Sequence, residues 1–388
     1  MVFKPFPYQL VNVVSEPLLY SFKSSSASLQ SVQKRLRMLR SVCAAVGAAA
    51  TLVGGHRAYT KAESLPWQEE GGQVPVKPDY AWLLEKPGKK VEKVEEGGKQ
   101  AKVLLLAYPR TGSSLLGELL SAAPSTSYFM EPLFGLLPVG QLDWEYALEG
   151  RLEGGEVPGE AVAALMAGIY SCEERVVDRL VAWSQVPHTS VTAVPMVDCR
   201  AGSAILSKTV RLHGAQVRQV AEQVEDLRVV HLVRDPCAVV ASLQAQAEEW
   251  GERTASTYCR QLLADLQVGE ELGQGRYLRV AYEELVERPV EVLDRIAAFT
   301  GIPVSEEVLE AVAVKMLGKP ETKRVVDGNE TAATATTEYY STVRPVGHRH
   351  DRWRSKLGEE QLAALQCGPC GEVLSRLGYP KVVDPAQA

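Results

Sequence analysis

The chain is short of several things that would settle its class at sight. No lysine follows the glycine of Tyr108-Pro-Arg-Thr-Gly-Ser-Ser114. A nucleoside-triphosphate loop needs Gly-x-x-x-x-Gly-Lys and then Ser or Thr, with the lysine on the terminal phosphates, so a P-loop kinase or ATPase is disfavoured. Positive charge is not in excess: 42 Lys and Arg stand against 48 Asp and Glu, a formal net charge of -6. Nucleic acid is therefore disfavoured as a partner, and affinity for an anion rests on local cations. Asparagine is confined to Asn12 and Asn329, which leaves Asn329-Glu-Thr331 as the one N-glycosylation sequon. Among seven cysteines, Cys367-Gly-Pro-Cys370 has no second pair to complete a metal site, so no metal is assigned. Internal repeats are missing too.

Long apolar runs are also scarce. Ser41–Gly55 is uncharged but runs about 15 residues where a membrane span takes roughly 20. Lys34, Arg35, Arg37 and Arg40 precede it, and positive flanks hold that end in the cytoplasm. The expected organisation is a cytoplasmic tail at 1–40, a signal anchor at 41–55, a flexible stem at 56–100 and a luminal domain at 101–388. A cleaved signal sequence with a long leader and an arginine-bearing organelle-targeting peptide stay open as alternatives. The stem follows from composition: Pro, Gly, Glu and Lys between Ala62 and Gln100 bury too little apolar surface to fold alone. An odd number of cysteines fits an oxidising lumen with a thiol left over.

What is present begins at Lys102-Val-Leu-Leu-Leu-Ala107, an apolar strand that runs into Tyr108–Ser114 and then into the helical Leu115-Leu-Gly-Glu-Leu-Leu120. The loop N–H groups and the first turn of the helix have no internal partners and point outward as donors, so the turn is suited to an anion. Arg110 offers a fork of donors, Gly112 permits close approach, and Ser113 and Ser114 add hydroxyls. A second segment has the same logic. Asp226–Val233 reads as a buried strand, Asp235 as a helix N-cap and Pro236 as the first helical residue. Arg234 then stands at the carboxyl end of a strand, where open α/β sheets bind ligands, and Ser242 lies about two helical turns on. The pair makes a clamp for a second phosphate.

Taken together, Tyr108–Ser114 and Leu232-Val-Arg-Asp-Pro236 with Ser242 resemble the two cofactor motifs of sulfotransferases that use 3′-phosphoadenosine 5′-phosphosulfate (PAPS). More narrowly, Phe129-Met-Glu-Pro-Leu133, Leu206-Ser-Lys-Thr-Val-Arg211, Tyr282-Glu-Glu-Leu285, Trp353-Arg-Ser-Lys-Leu357 and Leu377-Gly-Tyr-Pro380 look like the Golgi carbohydrate 6-O-sulfotransferases. These act on the 6-hydroxyl of N-acetylglucosamine, galactose or N-acetylgalactosamine. The likeness covers roughly residues 100 to 382 in the family's order. It implies a glycan or proteoglycan acceptor, PAPS as cofactor without metal, a Golgi membrane location with single-pass type II topology, and room for a homodimer. It gives Arg110, Thr111, Gly112, Ser113 and Ser114 to the 5′-phosphosulfate and Arg234 and Ser242 to the 3′-phosphate. Arg344, in Thr342-Val-Arg344, and Trp353 return to the nucleotide. Between them Pro345–His350 departs from the family pattern, which leaves Arg349 and Arg352 as substitutes. It also implies a bridge of Cys172 with Cys199, then Cys259 with Cys367 or Cys370, and Cys237 stands buried where the family often has a basic residue.

Sulfuryl transfer needs an acceptor hydroxyl in line with sulfur, a base for its proton and donors for the developing charge. Lys208, at the end of a strand, is assigned to the bridging or a sulfuryl oxygen, and Arg211 to the acceptor or an anionic neighbour. Glu131 is the favoured base: beside the apolar Phe129–Phe134 run its pKa is expected to be raised. Its alternative role is a partner of a helix N-terminal dipole or a structural ion pair with Arg110. His188, on Pro187-His-Thr189, is the second candidate base and lines the acceptor region, whereas His231, mid-strand, reads as a satisfied core histidine. A protein tyrosine acceptor, a kinase-like nucleotide binder and a non-catalytic lectin-like descendant are the competing functions.

Strands are expected at 102–107, 127–129, 204–208, 228–233 and 277–281. Helices are expected at 114–121, 159–184, 214–225, 236–248, 253–272, 289–300, 305–317 and 359–376. This alternation implies an α/β fold with a P-loop-like parallel sheet covered by helices on both faces.

Overall fold

The structure, a computed structural model, describes residues 100–136, 151–152, 155–156, 158–185, 193, 196–244, 252–317, 342–344 and 350–380. The tail, the anchor, all of the stem but Gln100, His188, Asn329 and Arg349 lie outside these residues. Among the described residues no helix is long and apolar enough to cross a membrane.

β1 (Ala101–Leu106) leads to α1 (Ser113–Ser121), β2 (Thr126–Met130) and a 3₁₀ turn at Pro132–Leu136. A small hairpin of β3 (Arg151–Leu152) and β4 (Gly155–Glu156) precedes α2 (Gly159–Tyr170), α3 (Glu174–Ser184) and α4 (Met196–Ala201). Next come β5 (Ala204–Thr209), α5 (Ala215–Gln223), β6 (Arg228–Val233), α6 (Pro236–Gln244), α7 (Glu252–Leu272) and β7 (Tyr277–Ala281). α8 (Tyr282–Glu287), α9 (Pro289–Thr300), α10 (Glu306–Met316), a 3₁₀ turn at Arg352–Ser355, α11 (Glu359–Leu365) and α12 (Gly368–Leu377) follow.

Five strands make one sheet in the order β2-β5-β1-β6-β7, and every pairing in it is parallel. Their side chains alternate between two apolar layers, as the period of a strand requires. Leu104, Leu106, Ile205 and Val229 pack under α2, α3 and α5. Val103, Leu105, Leu206 and Val230 pack under α1, α9 and α10 on the other face. Near-continuous apolar strands are what a sheet buried on both sides demands, and the expected α/β architecture is the one observed. A third cluster joins Tyr108 and Val233 to α6, α7 and the C-terminal helices.

Two expected helices are each broken in two. The run at 159–184 is interrupted after Tyr170, where Cys172 takes φ 48 and the Glu173 N–H returns to the Gly168 carbonyl at 2.8 Å. That left-handed closure ends α2, and α3 starts afresh. The run at 359–376 breaks at Cys367: Gly368 has φ 57, and Pro369 opens the next helix where a missing N–H costs nothing. α4 and α8, six residues each, are too short to carry a periodic signal and were not expected.

Cys172 is bonded to Cys199, which ties the end of α2 to α4 just ahead of β5. Of the two alternatives for Cys259, the partner is Cys370 rather than Cys367. Cys370 lies inside α12 and is buried against α7, whereas Cys367 stands one step before the helix as its N-cap. Cys237 is buried and unbonded, and burial, with Asp235 beside it, pushes its thiol far above the usual range, which leaves it unreactive.

Candidate active site

Every strand of the sheet delivers something to its carboxyl edge. Lys208 on β5 is flanked in register by Leu105 of β1 and Met130 of β2, so the Tyr108–Ser114 loop, Lys208 and Glu131 follow from neighbouring strands. Arg234 follows β6 and Tyr282 follows β7.

The loop is held shut by Thr111. Its hydroxyl donates to the Tyr108 carbonyl at 2.7 Å and accepts from the Tyr108 N–H at 3.3 Å, and the side chain is fully buried. Thr111 thus shapes the turn, while Ser113 and Ser114 open α1. Gly112 is the N-cap with φ 88. A Cβ there would come within 2.5 Å of the Tyr282 ring, so glycine is required both by conformation and by space. Arg110 also takes a left-handed conformation, φ 66, which costs a non-glycine residue on the order of 1 kcal/mol.

Arg110, Arg234 and Ser242, chosen from separate motifs, come together. Arg110 Nε donates to Ser242 Oγ at 3.0 Å, and Arg234 Nη1 donates to the Arg110 carbonyl at 2.6 Å. The Arg234 guanidinium lies over the Tyr282 ring, 4.4 Å from its centroid, and its Nε is buried without a hydrogen-bond partner among the described residues. Arg344 Nε donates to the Tyr282 hydroxyl at 3.0 Å. Tyr282 therefore touches three cofactor candidates at once: Gly112 at its edge, Arg234 on its face and Arg344 at its hydroxyl. No role had been given to this residue, although its motif was among those carrying the resemblance.

Glu131 follows β2 in a left-handed conformation, φ 50, and its N–H donates to the Lys208 carbonyl at 2.7 Å. Lys208 Nζ donates to Oε1 at 2.6 Å. Arg211 Nη1 pairs with Oε2, and the Val210 N–H adds a 3.4 Å contact to the same oxygen. Phe134 lies under the Arg211 guanidinium at 5.0 Å. The raised pKa expected for Glu131 is corrected here. Burial alone pushes the carboxyl up, but the charges of Lys208 and Arg211, with the hydrogen bonds from Lys208 and Val210, outweigh it and hold the group below its ordinary value. Its ion-pair partners are Lys208 and Arg211, not Arg110. Arg211 Nε, like Arg234 Nε, is buried without a hydrogen-bond partner among the described residues.

Behind Arg234, Asp235 caps α6 by accepting from the Cys237 N–H at 2.8 Å. Its own N–H donates to Glu283 Oε1 at 3.1 Å, and Tyr379 donates to Glu283 Oε2 at 2.8 Å. Burial, with Glu283 nearby, raises the Asp235 carboxyl to about 6. Beneath the loop, Tyr108 donates to the buried Asp265 carboxylate, which also takes the Gly214 N–H and His213 Nδ1. His213 stacks on Tyr108 with ring centroids 5.2 Å apart. His231 lies in the sheet interior with Nδ1 against the Tyr277 hydroxyl at 2.7 Å, and burial depresses its pKa to about 4. Trp353 is enclosed in the third cluster against α6, with the Arg354 guanidinium 5.2 Å from its ring centroid, so the fold uses it beneath the helix that carries Ser242.

Comparison with known proteins places this geometry. Residues 102–306, more than half of the chain, match the model of the sulfotransferase family, and the chain belongs to that family. It is 24% identical over 351 residues to carbohydrate sulfotransferase 1 of Mus musculus, covering 72% of this chain and 80% of the relative. It is 23% identical over 354 residues to carbohydrate sulfotransferase 3 of Mus musculus, covering 74% and 70%. Among solved structures, the sulfotransferase domain of the Synechococcus PCC 7002 olefin synthase is 21% identical with a TM-score of 0.41, covering 74% of this chain and 98% of that one.

Proposed function

We propose that this sulfotransferase moves a sulfuryl group from PAPS to a hydroxyl of a sugar, the 6-hydroxyl of N-acetylglucosamine, galactose or N-acetylgalactosamine, on a glycan or proteoglycan. The observation that carries the reading is the convergence of Arg110, Arg234 and Ser242 at the mouth of a glycine-capped helix, next to Lys208. When bound, PAPS supplies the sulfuryl group and departs as adenosine 3′,5′-bisphosphate.

The residues fit a ligand with two anionic ends. Gly112 supplies the left-handed turn and lets the Tyr282 ring lie against the loop, and the loop N–H groups with the α1 terminus favour negative charge there. Arg234 presents a buried Nε that has no partner among the described residues, the state of a donor awaiting an acceptor. Arg110, Gly112, Ser113 and Ser114 would hold the 5′ end, with Thr111 fixing the turn. Arg234, Ser242 and Arg344 would hold the 3′-phosphate. Trp353 supports that side from within.

Lys208 serves the sulfuryl oxygens or the bridging oxygen, where a fixed positive charge matches negative charge developing on the leaving phosphate. Glu131 is ionised at neutral pH and hence able to take a proton, and Lys208 and Arg211 orient it. Arg211, stacked on Phe134 with an Nε that has no partner among the described residues, faces the acceptor. The homology to carbohydrate sulfotransferases supports the sugar, and the family likeness of the Glu-Pro-Leu and Trp-Arg-Ser-Lys motifs supports the 6-hydroxyl and a Golgi luminal location with a type II anchor.

The test is radiolabelled transfer to keratan, chondroitin and N-acetylglucosamine-terminated acceptors, with a tyrosine peptide alongside and the labelled position mapped. Label on a sugar 6-hydroxyl is expected. Label at another sugar position would overturn the regiochemistry, and label on the peptide alone would overturn the sugar.

A further inference from the structure

Arg344 reaches the site from a short stretch, Thr342–Arg344, that is fastened to two helices at once. Thr342 Oγ1 donates to Glu118 Oε2 at 2.8 Å and accepts from Lys315 Nζ at 3.1 Å. Lys315 Nζ also pairs directly with Glu118 Oε2. The Arg344 N–H donates to the Lys315 carbonyl at 2.6 Å. Glu118 lies on α1, the helix whose N-terminus is the phosphate loop, and Lys315 lies in the last turn of α10. The threonine hydroxyl has one proton and lone pairs to give. Placed between a carboxylate and an ammonium, it spends the proton on the first and a lone pair on the second, and this fixes the stretch in direction as well as position.

We propose that Lys315 is a positioning residue that sets Arg344 at the cofactor site, with Glu118 and Thr342 completing the fastening. The inference rests on the reading above that Arg344 holds a cofactor phosphate. The geometry makes the node a coupler: one end is the helix under the 5′ loop, and the other is the arginine that bonds to Tyr282 beside Arg234. A purely stabilising role is a poor account of it. The Lys315 and Glu118 side chains are 22% and 36% exposed, and partly solvated ion pairs add little to fold stability. Their effect therefore belongs in ligand affinity, where holding an arginine in its bound pose lowers the ordering cost of binding.

The experiment is a double-mutant cycle on the full chain, read as calorimetric affinity for adenosine 3′,5′-bisphosphate. Lys315→Met is expected to weaken binding about 5-fold in the wild-type background and to have no further effect when Arg344 is already Ala. Lys315→Arg, which keeps the charge, is expected to restore most of the affinity. Thermal unfolding of the ligand-free chain is expected to stay within about 2 °C of wild type. Glu118→Gln, at the other end of the node, gives the same reading should Lys315→Met fail to fold. Equal weakening in both backgrounds would overturn the inference, because Lys315 would then act without Arg344. Weakening by Arg344→Ala with none from Lys315→Met or Glu118→Gln would overturn the inference and leave the cofactor reading intact. No weakening by Arg344→Ala would overturn the assignment of Arg344 itself and the positioning role with it.

Discussion

Arg234 donates to the main-chain carbonyl of Arg110 across 124 residues of sequence, so the two segments proposed to hold the cofactor's phosphates are bonded to each other directly. Arg110 in turn reaches Ser242, on the helix that follows Arg234. The two ends of the proposed cofactor site are therefore one mechanical unit, and the first prediction is that they fail together. Arg234→Ala is expected to weaken adenosine 3′,5′-bisphosphate binding by at least about 10-fold, the worth of a charge-assisted hydrogen bond. Arg234→Lys is not expected to restore it, since an ammonium has neither the planar face for Tyr282 nor the fork. In a cycle with Ser242→Ala the losses are expected to be non-additive. Calorimetry on the four proteins checks this.

Glu131 carries the second prediction. Glu131→Gln is expected to reduce turnover by about 100-fold or more while bisphosphate affinity changes little. Stability is expected to fall by about 3 kcal/mol, because Lys208 and Arg211 lose a buried counter-charge. The pH dependence has a definite sign. The folded carboxyl lies below its unfolded value, so its contribution is present above the ordinary carboxylate range, about 4.3, and is lost as pH falls through the folded value. Denaturant unfolding between pH 2 and 7 is expected to show this acid limb in the wild type and not in the variant. Full turnover in Glu131→Gln would remove Glu131 as the base.

Asp235 behaves in the opposite sense. Its folded pKa is raised to about 6, so the fold binds the proton more tightly than the unfolded chain does. Its contribution is full below about 4 and is lost as pH rises through 6. Asp235→Asn keeps an acceptor for the Cys237 N–H and removes the charge. It is expected to be more stable than wild type at pH 7.5, on the order of 1–2 kcal/mol, with the difference vanishing near pH 4. Unfolding at the two pH values measures it.

The bridge between Cys259 and Cys370 closes a sequence separation of 111 and fastens α12 to α7. Replacing both cysteines by serine is expected to cost about 2–5 kcal/mol. Because α12 leads into Tyr379, which donates to Glu283 behind Arg234, bisphosphate affinity is expected to fall with it. Chemical unfolding and calorimetry on the double variant check both.

The sheet was readable because its central strands β1 and β6 are buried on both faces and hence nearly continuous in Val and Leu, while the edge strands β2 and β7 are shorter and more mixed. All five lie where the apolar runs place them, within a residue or two at their ends. The helix breaks were less accessible. Cys172 at φ 48 is a conformation that nothing in the local pattern announces, whereas Gly368-Pro369 was a turn signal inside a run read as one helix. Sequence motifs nominated Arg110, Lys208 and Arg234, which stand at or just past the ends of strands, and Ser242, about two helical turns into the helix that follows Arg234. Tyr282 received no role because its importance lies in contacts to residues 170 positions upstream and 62 downstream. The direction of the Glu131 pKa shift was missed for a similar reason: the apolar neighbours Phe129 and Phe134 are close in sequence, but the two cations that lower its pKa come from β5 and the loop beyond it.

The central claim is that this chain sulfates glycans, and the most direct measurement is incorporation of radiolabelled sulfate from PAPS into a panel of glycan acceptors by the wild-type chain and by Arg234→Ala. The account predicts label on at least one glycan, lost in the variant. Tight binding of adenosine 3′,5′-bisphosphate with no label on any glycan, and label instead on a protein tyrosine, would contradict it.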